Sequence, residues 1–270
     1  NTIVSEFTPE SYASSFDTAL QQKPDYITFA VTMPLTVIKK QLEKAHEAGI
    51  AIFPGGLGPD YKVGGDNIMT GSVVGNKLNI AFSTLMADVV IAEAKASDKV
   101  VLVQDPAAPA HVNTRGTIEA RLKAAGGKLG TFDVKLADTG TAMPGQIVSY
   151  LQSNPDVKYL LFADDTLTSG VPDAIKSAGL PLPKIIGQHP SGQQLKFIQD
   201  GDMYASIVAD TLGSFWDVGD MMARLSIGAP IPDPEPIGQL LVVKKDNAAT
   251  APIGLFEGAP DSYLKAWLLQ

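Results

Sequence analysis

The chain contains no cysteine among its 270 residues. That excludes disulfides, thiolate metal sites and a cysteine nucleophile within them. Histidine is scarce, with three residues, and aromatic residues make up only 7%. His46, His111 and His189 show no metal-like spacing, so His46 and His111 read as surface or loop residues. Positive charge is in deficit: 21 Lys and Arg face 29 Asp and Glu, a net charge of −8. Without a basic stripe, nucleic acid and an anionic membrane surface are poor partners. No apolar run reaches the roughly 18–20 residues of a membrane span, and no signal-peptide pattern is visible. G-x-S-x-G, P-loop, H-E-x-x-H and G-x-G-x-x-G signatures are all missing. Gly55-Gly56-Leu57-Gly58 follows an apolar run but lacks the lysine of a phosphate cradle. Asp164-Asp165 could serve acid–base chemistry, but adjacent residues after a strand point apart. No enzyme and no cofactor is expected.

What is present is a repeated rhythm. Asp25–Val31 is an apolar run after Lys-Pro, followed by a helical pattern to Ala48 and a second run, Gly49–Phe53. Asp156–Ala163 follows Asn-Pro, then a helix over 171–178 and a run ending Ile185-Ile186-Gly187. Strand, helix, turn, strand is a βαβ unit, which requires a parallel sheet. Two such units predict an α/β chain of two doubly wound parallel-sheet lobes, with ligand at the carboxyl ends of the strands.

The remaining pattern predicts a strand over 1–7, a helix over 10–22 and a long helix over 73–96. A strand over 99–104 precedes a helix over 114–125, a strand over 131–136 and a helix over 144–153. After the second unit come a helix over 193–200, a strand over 204–208 and a helix over 212–227. Pro230, Pro232, Pro234 and Pro236 read as an extended connector. A strand over 239–243 and a helix over 262–269 close the chain. Phe215 and Trp216 fall on an amphipathic helix and read as core.

Several ordered motifs carry a family resemblance: "KPDYITFAVTMP" before "AHEAGIAIF", "GGDN" before the long helix, "SNPDVKYLLFADDTLTSGV", "SAGLPLPKIIGQHPS" and "IQDGDMYASIVAD". In this order they resemble the type I periplasmic sugar-binding proteins, the ribose-binding and lac-repressor-core family. The resemblance implies a first lobe of residues 1–97 plus 210–238 and a second of 98–209 plus 239–270. Three crossings form the hinge, near Ser97-Asp98, Ala209-Asp210 and Gly238-Gln239. Family members begin with a strand and helix ahead of the segment matching Asn1–Phe7. Their absence here implies an incomplete chain, because a central strand cannot be deleted without stranding its neighbours' backbone groups.

The resemblance also implies the function. It is an extracytoplasmic solute-binding protein that takes a sugar or polyol to a membrane ABC permease. It is expected to be monomeric, periplasmic or extracellular, and open to lipid anchoring. The alternative is the effector core of a lac-repressor-type regulator, which would dimerise. Sugar hydroxyls call for carboxylates and amides just after strand ends. Asp66 and Asp164 match ligand-binding positions of the family, with Asn67 a neighbour of the first. Asp165 reads as a cap or hinge brace. Gln188 and His189 match a binding position by place and not by type. Arg115 matches an arginine that grips a hydroxyl. Thr139 stands where relatives place a stacking aromatic. Asp105 and Asp210 end their strands near the hinge and cleft. Thr32 and Met33 are weaker candidates from the first lobe.

Overall fold

The computed structural model describes residues 1–6, 8–56, 61–64, 67–72, 75–210, 214–231, 240–253 and 261–267. In chain order the elements are α1 (Pro9–Gln21), β1 (Tyr26–Ala30), α2 (Lys39–Glu47), β2 (Ala51–Gly55), α3 (Asn76–Ile91), β3 (Lys99–Gln104), α4 (Pro109–Ala124) and β4 (Leu129–Asp133). There follow α5 (Met143–Ser153), β5 (Val157–Phe162), α6 (Val171–Ser177), β6 (Lys184–Gln188), α7 (Gly192–Asp200), β7 (Ala205–Ala209), α8 (Ser214–Ser226), β8 (Leu240–Val243) and α9 (Asp261–Ala266).

β1 and β2 pair in parallel, Tyr26 against Ala51 through Ala30 against Gly55. Alternating side chains give each face its own cover. Ile27 and Ile52 pack on Phe16 of α1 and on Leu42 and Ala45 of α2. Phe53 points the other way, onto Val218 and Met221 of α8. Helix α8 therefore belongs with the first lobe, although it follows the second in sequence. The expected strand over 1–7 does not form in residues 1–6. β-propensity without a paired neighbour does not make a strand, and Val4 stays 88% exposed.

The second lobe holds a six-stranded sheet in the order β4-β3-β5-β6-β7-β8. The first five strands are parallel and β8 runs antiparallel to β7. Both faces are covered. Val101, Val103, Leu160 and Phe162 face α5, α6 and α7 through Ile147, Ile175 and Ile198. Val100, Leu102, Leu161 and Ile186 face α3 and α4 through Phe82, Met86, Ile118 and Leu122.

Helix α3 thus shares its core with the second sheet, where the sequence reading had assigned it to the first lobe. Its apolar side fits the sheet face that α4 leaves open, so packing places the lobe boundary ahead of α3 and not at residue 97. The helix is also shorter than the 73–96 stretch. Gly75 at φ +87° precedes it, and near its far end Asp98 Oδ2 accepts from the Lys95 backbone at 2.9 Å in a turn. Residues 73 and 74 lie outside the described residues. Helix α9 departs from the expected second-lobe assignment as well. Tyr263 donates to Asp217, and Trp267 Nε1 donates to Asp220 Oδ1 at 2.9 Å, which seats α9 on α8. Helix α4 begins at Pro109 and not Thr114, because proline is favoured in a first turn.

Candidate functional site

The chain leaves β3 for β4 on one flank, then crosses back over β3 to place β5 on the other. That reversal is a topological switch point, where doubly wound sheets open a crevice at their carboxyl ends. The residues there are Gln104 and Asp105 after β3 and Asp164 and Asp165 after β5. Beside them stand Gln188 and His189 at the end of β6 and Asp210 after β7.

Gln104 is fully buried. Its Nε2 donates to Asp133 Oδ1 at 2.9 Å, and its Oε1 has no hydrogen-bond partner among the described residues. Asp105 turns its carboxylate into its own loop. Oδ1 accepts from Ala107 N at 2.9 Å and Oδ2 from Leu136 N at 2.8 Å. Its backbone N–H donates to His111 Nδ1 at 2.9 Å. His111 is therefore no surface residue, contrary to the sequence reading. It is 5% exposed, and burial lowers its pKa against the opposing pull of Asp164 and Asp105. Through these bonds Asp105 and His111 brace the loop.

Asp164 is half-buried and caps a short 3-10 turn at Asp165–Thr168. Its Oδ1 accepts from Thr166 N at 2.8 Å and Thr166 Oγ1 at 2.7 Å. Capping falls to Asp164 and not, as expected, to Asp165. Asp165 is instead 1% exposed, and Oδ2 accepts from Ser206 Oγ at 2.7 Å. Its Oδ1 has no hydrogen-bond partner among the described residues, and a Cβ at position 187 would land on that oxygen. Only glycine fits at 187. Burial pushes the Asp165 carboxyl well above its ordinary range. Gln194 Nε2 ties the turn down through the Asp165 carbonyl at 3.1 Å and Thr168 Oγ1 at 3.2 Å.

Gln188 is 1% exposed; Nε2 donates to the Ala163 carbonyl, and Oε1 has no partner among the described residues. His189 holds φ +62°, a left-handed conformation costly for a residue with a side chain. Such strain marks sites where surrounding structure fixes a side chain for use. Its backbone N–H donates to the Ile207 carbonyl at 2.9 Å, and its ring lies 4.1 Å from that of Phe82 on α3. The residue is half-buried, but Nε2 is buried and has no partner among the described residues. Burial lowers its pKa to about 4, with Asp164 pulling the other way, so the ring is neutral at physiological pH.

Thr139 ends a short 3-10 turn after β4, and its buried Oγ1 has no partner among the described residues. A Cβ at the next residue, Gly140, would stand 3.3 Å from Ser169 Oγ, which brings this loop to the one after β5. Asp210 is half-buried just past β7, on the same edge. Among the described residues, the remaining candidates make no hydrogen bond to this group. Arg115 is an exposed residue of α4. Asn67 is exposed, and its Nδ2 donates to the Gly64 carbonyl at 2.8 Å. Asp66 lies outside the described residues. Thr32 is half-buried after β1, and Met33 packs in the first lobe's core. Phe215 is 59% exposed and not core, whereas Trp216 stacks on Tyr263 with centroids 6.2 Å apart.

Sequence reasoning missed Gln104, Gly187, Ser206 and Gln194. Gln104 had a signal, being the last residue of a strand otherwise almost wholly apolar. Ser206 and Gln194 had none, since their partners, the Asp165 carboxylate 41 residues away for Ser206 and the Asp165 carbonyl 29 residues away for Gln194, are brought close only by folding.

The periplasmic binding protein domain model matches residues 2–230. The chain belongs to that family. No curated protein sequence matches it. Solved structures of the same fold include an ABC transporter solute-binding protein from Agrobacterium vitis with bound D-fucose. It is 20% identical, with a TM-score of 0.76 over 92% of this chain and 86% of that one. A Caulobacter myo-inositol binding protein is 18% identical, with a TM-score of 0.72 over 92% and 83%. A periplasmic ribose ABC transporter protein from Conexibacter woesei is 15% identical, with a TM-score of 0.70 over 99% and 85%. At these identities the likeness is one of fold. In this family member, the residues meeting at the switch point are Gln104, Asp164, Gln188 and His189, with Thr139 from the neighbouring loop.

Proposed function

We propose that this family member captures a sugar or polyol between its lobes, outside the cytoplasm, and hands it to the membrane permease of an ABC importer. One observation carries the reading. Gln104 Oε1, Gln188 Oε1, His189 Nε2 and Thr139 Oγ1 are buried polar atoms without a partner among the described residues, on the strand ends and loops of the edge that also carries Asp164. A buried polar group left unpaired costs about 1–3 kcal/mol. Amide and carboxylate oxygens accept from hydroxyls, and a neutral imidazole nitrogen or a threonine hydroxyl completes the pairing. A ligand dense in hydroxyls satisfies such a set, whereas an anion would meet Asp164. The ligands named for the similar structures, D-fucose and myo-inositol, are of this class. Asp66 and Asp210 are proposed as further contacts, and closure of the lobes about their crossings as the signal to the permease.

The test is a thermal-shift and calorimetric panel on the full chain with D-fucose, D-ribose, myo-inositol, purine nucleosides and small amides. Ligand that binds only folded protein raises the melting temperature. A shift with one sugar or polyol is expected, with affinity at least about tenfold weaker in Asp164→Ala, as for loss of a charge-assisted hydrogen bond. A shift with nucleosides or amides alone would sink the sugar reading and leave the fold intact.

A further inference from the structure

The opposite edge of the second sheet has a different chemistry. Four of its strands carry a lysine where they begin: Lys128 just ahead of β4, Lys99 opening β3, Lys158 in β5 and Lys184 opening β6. Neighbouring strands lie about 4.8 Å apart, so the sheet order sets these four backbone positions along one edge. Some of the ammonium groups are committed. Lys99 bonds Asn154 at 2.8 Å and Asp156 at 3.1 Å, and Lys184 pairs with Glu93. Lys95, Lys128 and Lys158 form no ion pair among the described residues.

A cavity of about 440 Å³ opens along this edge, between the loops that lead into β3, β5 and β6. That volume is in the range of small-ligand pockets, roughly 300–1,000 Å³. The floor is apolar: Leu151 and Tyr159 are buried, Leu180 and Leu182 half-buried. Pro155, Pro181 and Pro183 line it too, and their fixed φ angles hold the walls in shape before anything binds. Lys95, Lys158 and Lys184 stand on the walls with one acid in the lining, Asp98, whose Oδ2 already accepts from the Lys95 backbone at 2.9 Å; Asp156, which Lys99 and Lys158 stabilise as a carboxylate, and Glu93, paired with Lys184, lie outside the lining. The Lys184 ammonium also lies 5.4 Å from the centre of the Tyr159 ring, which leaves it in reach of the floor.

We propose that this cavity is a second binding site, for a small amphipathic anion: an apolar body of one or two rings bearing one carboxylate or sulfonate. The apolar floor takes the body, and Lys95 and Lys158 take the charge. A neutral polyol would cover leucine with hydroxyls, and Asp98 disfavours a dianion. With a net charge of −8 the chain as a whole repels anions, so the attraction is local to this edge. The site is independent of the cleft, since β5 alone separates them by roughly 20 Å.

The probe is 8-anilinonaphthalene-1-sulfonate, with neutral N-phenyl-1-naphthylamine as its control, titrated by fluorescence into the folded full chain. One dye per chain is expected. Affinity should fall about tenfold in Lys95→Gln/Lys158→Gln, the loss of a charge-assisted contact. It should fall similarly in Leu182→Asp. Melting temperatures of both variants check that they remain folded; their affected side chains are half-buried or exposed. Three results overturn the proposal: no saturable dye binding, equal affinity for the neutral control, or affinity changed in Asp164→Ala and unchanged by the lysine substitutions. The last would put the dye in the cleft.

Discussion

At the scale of single residues, Asp165 is the group under most tension. It is a buried carboxyl with one oxygen bonded to Ser206 and the other pressed where residue 187 has no side chain. Gly187→Ala would drive a methyl onto that oxygen, and overpacking of a rigid core costs about 1–3 kcal/mol. The same substitution in an Asp165→Ala background should cost far less, because the two residues share one volume. Urea unfolding of the four proteins tests this, and equal costs in both backgrounds would rule it out. The pH dependence follows with a definite sign. The folded pKa of Asp165 is raised, so from an unfolded value near 3.9 upward the unfolded chain gives up its proton more readily. Its contribution to stability therefore declines as pH rises from about 4 through the folded pKa. His189 acts oppositely: its folded pKa of about 4 lies below the ordinary 6.5, so stability falls as pH drops between those values. Asp165→Asn isolates the first effect. Melting curves from pH 4 to 9 should decline less steeply on the alkaline side in this variant than in the parent chain.

At the scale of elements, α3 decides how the second lobe is assembled. Its middle is fixed by Asn79, which is fully buried. Asn79 donates to the Ala110 carbonyl at 3.0 Å and accepts from Thr114 Oγ1 at 3.0 Å and Ser83 Oγ at 3.1 Å. Asn79→Ala strands these groups in the α3–α4 contact and should cost about 1–3 kcal/mol, read by chemical denaturation. Past its carboxyl end, Glu93 accepts from Lys184, Tyr204 and Lys244, and these bonds lower its pKa to about 2. Stability from Glu93 is thus present above pH 4.5 and lost as pH falls toward 2. Because the group is about one-third exposed, screening keeps its worth below about 1 kcal/mol. The amphipathic or β-rich pattern was enough to read nearly every strand and helix of the second lobe from sequence. It was not enough to say which sheet α3 covers, because its apolar residues fit either face and only the exposed flank beside α4 decides. The binding edge was legible in the same partial way. Asp164, Gln188 and His189 follow apolar runs and could be named, whereas the choice of Asp164 over Asp165 as the cap turns on Ser206, which holds Asp165 inward from 41 residues away.

At the scale of the whole molecule, the chain crosses between lobes more often than the family pattern implied. β8 completes the second sheet, Ala248 and Ala251 pack in that sheet's core, and yet α9 sits on α8 of the first lobe. The contact is close: a Cβ at Gly219 would stand 3.2 Å from the Trp267 ring. It also contains the chain's two tryptophans, Trp216 and Trp267, 6.0 Å apart. Tryptophan fluorescence consequently reports the first lobe, while far-UV circular dichroism is weighted toward the six-stranded sheet and its helices. If α9 ties the lobes into one cooperative unit, both signals should change together during guanidinium unfolding of the full chain. Removing residues 261–270 leaves Trp216 as the sole reporter and takes away its stacked partner Tyr263. The fluorescence transition should then move to lower denaturant than the dichroism transition. Coincident transitions in the shortened chain would mean that the lobes are coupled through their other crossings, and that α9 stabilises α8 alone.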